Sequence, residues 1–427
     1  MIFRLCALFG GMMLPVACFL FACGTGEQND PPLLTVWIHS AQPAERQTIR
    51  DQIRRFNAEE EEYQVHLTII PEDEYNGQVQ AAAVAGDLPD LLVFDGPYVY
   101  NYVWQGILIP LGPLLPDVIM DDLIPSLVTQ GTYRDTFYSV GTYDSGLGLY
   151  ARKSHLDEIG ARIPHGPEDA WSIDEFDAIL AALADAGPNG RVLDLKLNYQ
   201  GEYFTYAYSP ILQSAGADLI DRRDYRKTSG VLNSPAAVAA MMRLQRWFEA
   251  GYVDPNLDDA AFTEGRVSLS WVGHWEYSRY HAAWGDDVVI LPLPDFGTGS
   301  RTGQGSWNWG ITRFCGNPEW GVRFLRFLLQ PEEVLAMSRA DSAVPATKTA
   351  MEKSPLYREG GPLRLFAVQL LEGYGVSRPR TPAYPVITSV FSDSFLDIRH
   401  GGDVKTILDR ASTIIDRDIA FNKGYPD

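Results

Sequence analysis

Two adjacent side chains near the middle of the chain, Tyr143 and Asp144, have the chemistry that a sugar-sized polar ligand requires. An aromatic ring can cover the apolar C–H face of a pyranose, and a carboxylate can accept hydrogen bonds from its hydroxyl groups. The pair lies between Gly141 and Gly146, at a joint between two runs of β-forming residues. The plain structural alternative is a strand–turn–strand in which Asp144 only holds the turn.

Further candidates follow from the elements that must position such side chains. The run LLTVWIH at residues 33–39 predicts a strand, and a helix, a second strand, another helix and the buried strand LLVF follow it. Alternating strands and helices predict a parallel α/β sheet, which binds ligands at the carboxyl ends of its strands. This order places Trp37, His39 and Asp95 on a ligand-facing rim.

Two later segments add aromatic and amide groups to the candidates. The segment GRVSLSWVGHW predicts a strand whose end carries Trp275. The segment SWNW supplies Trp307, Asn308 and Trp309, and one of its two tryptophans is expected in the core. Asn308 is a further group that could bond to ligand hydroxyls.

The clearest helix starts lie after the central joint. Ser172 and Glu175 have the spacing of a capping box, in front of a helical apolar pattern. Ser234 followed by Pro235 predicts a second start, with Gly251 as the stop. These signals place long helices between the predicted strands, as an α/β fold requires.

Length and charge restrict the class of protein. A chain of 427 residues predicts two or three domains. Its formal net charge of −20 argues against a nucleic-acid partner, since little could neutralise a run of phosphates.

The N-terminus predicts export and a lipid anchor. Arg4 is the only charged residue in the first 26, and a short apolar run follows it, so residues 1–22 are expected to be a signal peptide. The tetrad Leu20-Phe-Ala-Cys23 resembles a bacterial lipobox, in which Cys23 is lipidated and residues 23–32 form a tether. Cys315 then remains as a single structural thiol without a disulfide partner.

Nine stretches, taken in order, resemble the extracellular solute-binding proteins of bacterial ABC importers, in particular the sugar-binding family that includes maltose-binding protein. They span about residues 33–418 and are GDLPDLLVF, QGILIPL, FYSVGTYDSGLGLYARK, WSIDEF, LNSPAAV, EAGYVDP, GRVSLSWVGHW, WGITRFCGNPEWGVRFLRFLLQPEE and RPRTPAYP. The resemblance implies an α/β, two-lobed periplasmic-binding-protein fold of type II, with a ligand cleft between lobes joined by hinge segments. By this pattern the first lobe is residues 33–143 and 287–345, and the second is residues 144–286 and 346–427.

The resemblance also implies roles for particular residues. Asp144 looks like the acidic residue that bonds to sugar hydroxyls at the first crossing, and Trp275 looks like the aromatic that stacks on a sugar face. Tyr384 falls in the region that supplies another aromatic, and Asp95 follows a strand whose loop binds ligand in relatives. The expected partners are a mono- or oligosaccharide, the transmembrane subunits of an ABC permease, and the membrane through the N-terminal lipid of a monomer in the periplasm or at the cell surface.

Other classes of function remain open at this point. A secreted glycan-active enzyme would need an acid and a base, and Asp258-Asp259 and Asp286-Asp287 are carboxylates that neighbour each other in sequence, although adjacent residues on a solvated turn usually point apart. No GxSxG, HExxH or GxxxxGK[ST] motif is present, so neither catalysis nor ATP hydrolysis is expected in this chain, and no cofactor or metal is predicted. A polyol or glycerophosphodiester ligand, which Arg378 and Arg380 leave open, and a chemosensory or adhesion role are the remaining alternatives.

Overall fold

The structure is a computed structural model, and it describes residues 31–187 and 189–426. The predicted signal peptide and the predicted lipidation site at Cys23 lie outside the described residues. None of the helices in residues 31–187 and 189–426 combines the length and apolar character that crossing a bilayer requires.

Strands and helices alternate along the chain, as the sequence pattern predicts. The strands are β1 Leu33–His39, β2 Gln64–Ile70, β3 Leu91–Asp95, β4 Thr132–Tyr133, β5 Thr136–Phe137, β6 Ser139–Gly141, β7 Tyr143–Asp144, β8 Leu147–Arg152, β9 Leu193–Asp194, β10 Leu269–Gly273, β11 Val288–Leu291, β12 Thr302–Gln304, β13 Trp307–Ile311, β14 Val344–Pro345 and β15 Gly375–Ser377. The helices are α1 Pro43–Glu59, α2 Glu72–Ala85, α3 Val99–Trp104, α4 Asp117–Asp122, α5 Pro125–Gly131, α6 Lys153–Glu158, α7 Ile173–Ala186, α8 Glu202–Ser214, α9 Pro235–Glu249, α10 Tyr277–Trp284, α11 Pro318–Leu328, α12 Pro331–Asp341, α13 Lys348–Lys353, α14 Arg364–Leu371, α15 Tyr384–Arg399 and α16 Val404–Phe421.

The first sheet has five strands in the order β2-β1-β3-β13-β6. β1 runs parallel to β2 and β3, whereas β13 runs antiparallel to β3 and β6. Because β13 is antiparallel, its first residue, Trp307, lies opposite Asp95, the last residue of β3. The predicted rim at the carboxyl ends of the strands therefore gains a residue from the start of β13.

The second sheet has four strands in the order β11-β8-β10-β9. β8 pairs antiparallel with β10 and β11, and β9 pairs parallel with β10. The strand at Val288–Leu291 therefore belongs to the second sheet, whereas the sequence pattern assigned residues 287–345 to the first lobe. The chain returns to the first sheet only with β13, since β12 before it pairs with β15 in a separate two-stranded sheet.

Helices cover both sheets and bury their apolar faces. One face of the first sheet packs against α1, α11 and α12, and its other face packs against α2 and α3. The second sheet packs against α7, α8, α9, α15 and α16. This is the layered α/β packing that alternating elements require.

Short strand pairs join the two sheets where the chain crosses between them. β7 pairs with β14, β12 pairs with β15, and a single bridge links Gly146 to Gln304. These crossings are close-packed at Gly305, where an added Cβ would lie 2.3 Å from the Gln130 side chain and where the backbone φ is +120°. Both features favour glycine at this position.

The helix starts predicted from sequence are confirmed. Ser172 Oγ accepts a hydrogen bond from the backbone N–H of Glu175 at 3.2 Å and caps α7. Ser234 caps α9 in the same way, with Pro235 at its first position. Cys315 is a free, half-buried thiol, and burial raises its pKa to about 12, so it is mostly the unreactive thiol at neutral pH.

Candidate ligand-binding site

A groove of about 270 Å³ lies between the two sheets. On the first-sheet side it is lined by Tyr98, which follows β3, and on the second-sheet side by the start of α8 and the first three turns of α15. Apart from Tyr98, the lining consists of three hydroxyl side chains, two carboxylates, a glycine and a proline: Thr388, Ser389, Ser392, Glu202, Asp393, Gly201 and Pro385. Such a surface offers many hydrogen-bonding groups to a polar ligand.

A buried ion network forms one end of this region, with Arg378 at its centre. The Arg378 guanidinium donates two hydrogen bonds to Asp95, at 2.5 and 2.6 Å, and one to Glu202 at 2.5 Å. The side chains are only 4%, 14% and 22% exposed, for Arg378, Asp95 and Glu202 respectively. Asp95 ends a strand of the first sheet and Glu202 begins α8, so Arg378 connects the two sides of the groove.

Glu202 is the most heavily bonded carboxyl of the site. Besides Arg378, it accepts a hydrogen bond from Thr388 Oγ1 at 2.6 Å and one from the Tyr384 hydroxyl. Burial raises the pKa of Glu202 to about 7, although the Arg378 guanidinium acts to lower it. The carboxyl of Glu202 therefore exchanges its proton close to neutral pH.

An aromatic group lines the carboxyl rim of the first sheet. The rings of His39 and Trp307 are stacked, with centroids 3.3 Å apart and 14° between planes, and Tyr75 meets both rings edge-on. Trp37 and Trp307 are half-buried, whereas His39 is buried. The rim thus presents partly exposed tryptophan surface next to Asp95.

A second aromatic group belongs to the second sheet. Trp275 follows β10, is half-buried, and lies 6.4 Å from the ring of Tyr206 between centroids. The Arg378 guanidinium lies 5.1 Å from the Tyr206 ring centre. Trp275, Tyr206, Arg378 and Asp95 therefore form a continuous series of contacts that leads to Trp307 on the other sheet.

A sequence profile described as bacterial extracellular solute-binding protein matches residues 51–359, which is more than half of the chain. This chain belongs to that family. The family is one of binding proteins, so the prediction of a solute-binding protein rather than an enzyme is confirmed. The word extracellular in its description agrees with the predicted extracytoplasmic location.

Solved structures of similar fold confirm the predicted two-lobed architecture of this solute-binding protein. The GacH receptor of Streptomyces glaucescens, solved unliganded and with acarbose, is 20% identical, with a TM-score of 0.76 over 93% of this chain and 99% of that one. The cyclic α-maltosyl-1,6-maltose binding protein of Arthrobacter globiformis is 21% identical, with a TM-score of 0.72 over 91% and 98% of the two chains. Maltose-bound MalE3 of T. maritima is 20% identical, with a TM-score of 0.73 over 91% and 99%.

One sequence relative is described as a lipoprotein. An uncharacterised lipoprotein of Streptomyces antibioticus is 22% identical over 419 residues, which cover 89% of this chain and 88% of that protein. The alignment extends beyond residues 51–359 and includes most of the second lobe.

The central pair of candidates lies in the hinge of the solute-binding protein rather than in the groove. Asp144 is completely buried, and its Oδ1 accepts a hydrogen bond from the backbone N–H of Ser145 while its Oδ2 has no partner. The Tyr143 hydroxyl donates to Glu45 at 2.9 Å, inside the protein. The sequence pattern placed both residues against ligand, and the pairing of β7 with β14 instead encloses their side chains.

Burial raises the pKa of Asp144 to about 6, while the hydrogen bond from the Ser145 backbone N–H and the charge of Arg378 act to lower it. The shift has the sign expected for an acid that lacks a counter-charge in direct contact.

Three further candidates also serve packing. Trp309 is 3% exposed and meets Phe324 edge-on in the core, which identifies it as the core member of the tryptophan pair. Asn308 is completely buried and donates to Ser139 Oγ at 3.1 Å across the sheet. Tyr384 is buried and reaches the site only through its hydroxyl, because its ring packs edge-on against Tyr98.

Sequence reasoning missed the groove residues on the second lobe. Glu202 is the first residue of α8, and Tyr206 and Thr388 lie in the second turns of α8 and α15. A signal was available, since Gly201 and Pro385 mark the two helix starts that meet at the groove. Among the described residues, no group of three or more His, Cys, Asp or Glu side chains is placed to hold a metal ion.

Proposed function

We propose that this chain is a lipid-anchored, extracytoplasmic solute-binding protein that captures a carbohydrate in the groove and delivers it to an ABC permease. The observation that carries the proposal is the groove itself, in which hydroxyl and carboxylate side chains of the second lobe face Tyr98 of the first. Its volume of about 270 Å³ is near the lower end of the roughly 300–1,000 Å³ range of small-molecule pockets. A short saccharide suits such a site.

The chemistry of the groove favours a sugar over an anionic solute. Sugar hydroxyls can donate to Glu202 and exchange hydrogen bonds with Thr388 and Ser392, and a buried group left unpaired would cost about 1–3 kcal/mol. A glycerophosphodiester would need a free cation, but the terminal nitrogens of Arg378 are already bonded to Asp95 and Glu202. The proposal therefore ranks neutral polar ligands above phosphates.

The aromatic groups supply the apolar contact that a pyranose needs. Trp37 and Trp307 on one rim and Trp275 on the other are half-buried, so each keeps surface for a sugar face. Similar proteins point the same way, because their names or descriptions mention acarbose, maltose and a cyclic maltosyl-maltose. We assign ligand contact to these three tryptophans and keep His39 and Asp95 as the residues that hold the first rim.

Capture would involve closure of the two lobes about the crossings. We propose a first lobe of residues 33–143 and 292–345 and a second lobe of residues 144–291 and 346–427, because β11 (Val288–Leu291) pairs with β8 of the second sheet. Hinge closure around a ligand is a common motion of two-domain binding proteins. The Arg378 network spans the two lobes, so its bonds form as the lobes approach.

The remaining partners follow from the family and the N-terminus. Membrane attachment through Cys23 is supported by the lipobox-like tetrad and by the relative described as a lipoprotein. The permease would supply transport, and the protein would act as a monomer.

A thermal-shift screen of the purified protein tests this proposal. Mono- and oligosaccharides, polyols and glycerophosphodiesters would be added at increasing concentration. A ligand at 100 times its dissociation constant should add about 2.7 kcal/mol to the free energy of unfolding, which is readily detected. A shift with a saccharide series and no turnover supports the proposal, and a shift with glycerophosphodiesters alone contradicts it.

A further inference from the structure

One face of α3 and of the turn before it lies against the second lobe. Tyr98, Asn101 and Trp104 are spaced three residues apart, which places their side chains on the same side of this segment. The Tyr98 ring meets the Tyr384 ring edge-on, with centroids 5.7 Å apart. Asn101 Nδ2 donates a hydrogen bond to the carbonyl of Pro382 at 2.8 Å. Tyr98 also lines the groove, so the contact between the lobes continues from the groove toward Trp104.

The far end of this face contacts the loop that follows α16, residues 423–426, which we call the 423–426 loop. Trp104 Nε1 donates to the carbonyl of Pro426 at 3.1 Å, and the rings of Trp104 and Tyr425 meet edge-on with centroids 5.0 Å apart. Arg134, also in the first lobe, donates to the carbonyl of Tyr425 at 3.4 Å. Two side chains of the first lobe therefore bond to consecutive carbonyls of the second.

The 423–426 loop is held firmly on the second lobe. Lys423, Gly424 and Tyr425 have successive φ values of +55°, +75° and +53°, a left-handed conformation that costs free energy for residues other than glycine. The backbone N–H of Gly424 donates to the carbonyl of Ile419 at 2.7 Å, and the Tyr425 hydroxyl bonds to Asp418. Tyr425 is buried against the core of the second sheet. The loop is therefore expected to move with the second lobe.

Trp104, in contrast, is expected to move with the first lobe. Val99, Tyr100 and Tyr102 of the same helix are buried in the core of the first sheet. Trp104 itself stays 39% exposed, and among the described residues the ring that it meets is that of Tyr425. Its contacts with the 423–426 loop can therefore form only while the two lobes are close together.

We infer that the 423–426 loop is a latch, to which Trp104 and Arg134 bond when the lobes close, and that it stabilises the closed form and slows ligand release. The inference rests on the lobe closure proposed above and not on which solute binds. A ligand that binds only the closed form has an apparent affinity proportional to the fraction of closed protein. The latch should therefore tighten binding of every solute that the groove accepts, without changing their order of preference.

Small-angle X-ray scattering of the purified, ligand-free protein tests the latch without any ligand. Trp104→Ala and Tyr425→Ala should each increase the radius of gyration, because each removes contacts that hold the lobes together. Trp104→Phe keeps an aromatic ring but loses the indole N–H, so its radius of gyration should lie between those of the wild type and Trp104→Ala. Because Trp104 is partly exposed, Trp104→Ala should fold even if Tyr425→Ala does not.

Two exposed aromatic residues provide matched controls. Phe314 of the first lobe and Phe421 at the end of α16 are 36% and 86% exposed, and neither has a ring contact with the opposite lobe among the described residues. Phe314→Ala and Phe421→Ala should leave the radius of gyration unchanged.

Stopped-flow measurements with maltotriose give a second readout. In Trp104→Ala the dissociation rate should rise about three- to tenfold, as expected for the loss of one edge-on ring contact and one hydrogen bond. Phe314→Ala should keep the wild-type dissociation rate. If maltotriose does not bind the wild type, the scattering alone decides whether the latch exists.

The possible failures separate the latch from the proposed function. An unchanged radius of gyration in Trp104→Ala, an equal increase in the two control variants, or an unchanged dissociation rate in Trp104→Ala overturns the latch, whichever solute binds. Failure of the proposed function has a different signature. In that case no saccharide raises the melting temperature in the thermal-shift screen, while the scattering difference between the wild type and Trp104→Ala remains.

Discussion

Replacement of Arg378 by glutamine should destabilise the protein strongly, because Arg378 is the only cation that bonds to Asp95 or Glu202 among the described residues. The substitution removes three charge-assisted hydrogen bonds and leaves two largely buried carboxylates without a counter-charge. Breaking a buried pair by removing one partner typically costs about 3–5 kcal/mol. Asp95 and Glu202 keep 14% and 22% of their side-chain surface exposed, so water lowers the expected cost to about 2–4 kcal/mol.

The cost should depend on pH in a defined direction. Without Arg378, the two carboxyls favour their neutral forms, and the pKa of Glu202, already about 7, should rise further. A carboxyl whose pKa is raised in the folded state destabilises the fold increasingly as the pH rises from its unfolded pKa to its folded pKa, and it has no such effect below the unfolded pKa, where it is protonated in both states. The loss of stability in Arg378→Gln should therefore be largest at pH 8 and smaller at pH 5.5.

Urea unfolding at the two pH values measures both effects. Asp95→Asn added to Arg378→Gln should recover part of the lost stability, since it removes one of the stranded charges. Arg358→Gln is the matched control, because Arg358 is exposed, and it should change the free energy of unfolding by less than about 0.5 kcal/mol. A loss below 1 kcal/mol for Arg378→Gln at pH 8, or a loss that grows toward pH 5.5, would refute the assignment of Arg378 as the buried link between the lobes.

Three other changes should have distinct effects. Asp144→Asn should stabilise the protein by about 1–3 kcal/mol at pH 8 and have little effect at pH 4. The reason is that the folded pKa of about 6 lies above the ordinary value of 3.8, so the carboxylate destabilises the fold only when it is ionised. Equal effects at both pH values in urea unfolding would contradict this. Trp275→Ala should weaken saccharide binding about tenfold in calorimetry. It should lower the free energy of unfolding of the ligand-free protein by less than half as much as Trp309→Ala, which removes a core side chain. A larger loss for Trp275→Ala would assign Trp275 to the core. Cys23→Ser should move the protein from the membrane fraction to the soluble fraction, and unchanged attachment on immunoblots would exclude lipidation at Cys23.

Much of the fold could be predicted because its signals are local. The apolar run of β1, the buried strand β3 and the caps at Ser172 and Ser234 depend on residues that are neighbours in sequence. The carboxyl-end rule for α/β sheets then placed Trp37, His39 and Asp95 on one rim without knowledge of the rest of the chain. The structure brings His39 and Asp95 together there, on either side of Trp307.

The prediction was weaker where contacts are distant in sequence. Asp144 was assigned to the ligand from its position at the first crossing, but β14, two hundred residues later, pairs with β7 and encloses it. Arg378 was considered only as a phosphate contact, because nothing local indicates that Asp95, 283 residues away, occupies its guanidinium. Likewise, β11 was assigned to the first lobe, but it pairs with β8, which lies more than 130 residues earlier in the chain. Nothing local to β11 indicates that pairing.

A crystal structure with a bound saccharide tests the central claim most directly. The saccharide from the thermal-shift screen with the largest effect would be co-crystallised with the protein. The account predicts sugar density in the groove, with hydroxyls bonded to Glu202 and Thr388 and a ring face against Trp275 or Trp307. Density at another site, or a groove that remains without sugar when the protein is saturated, would contradict it.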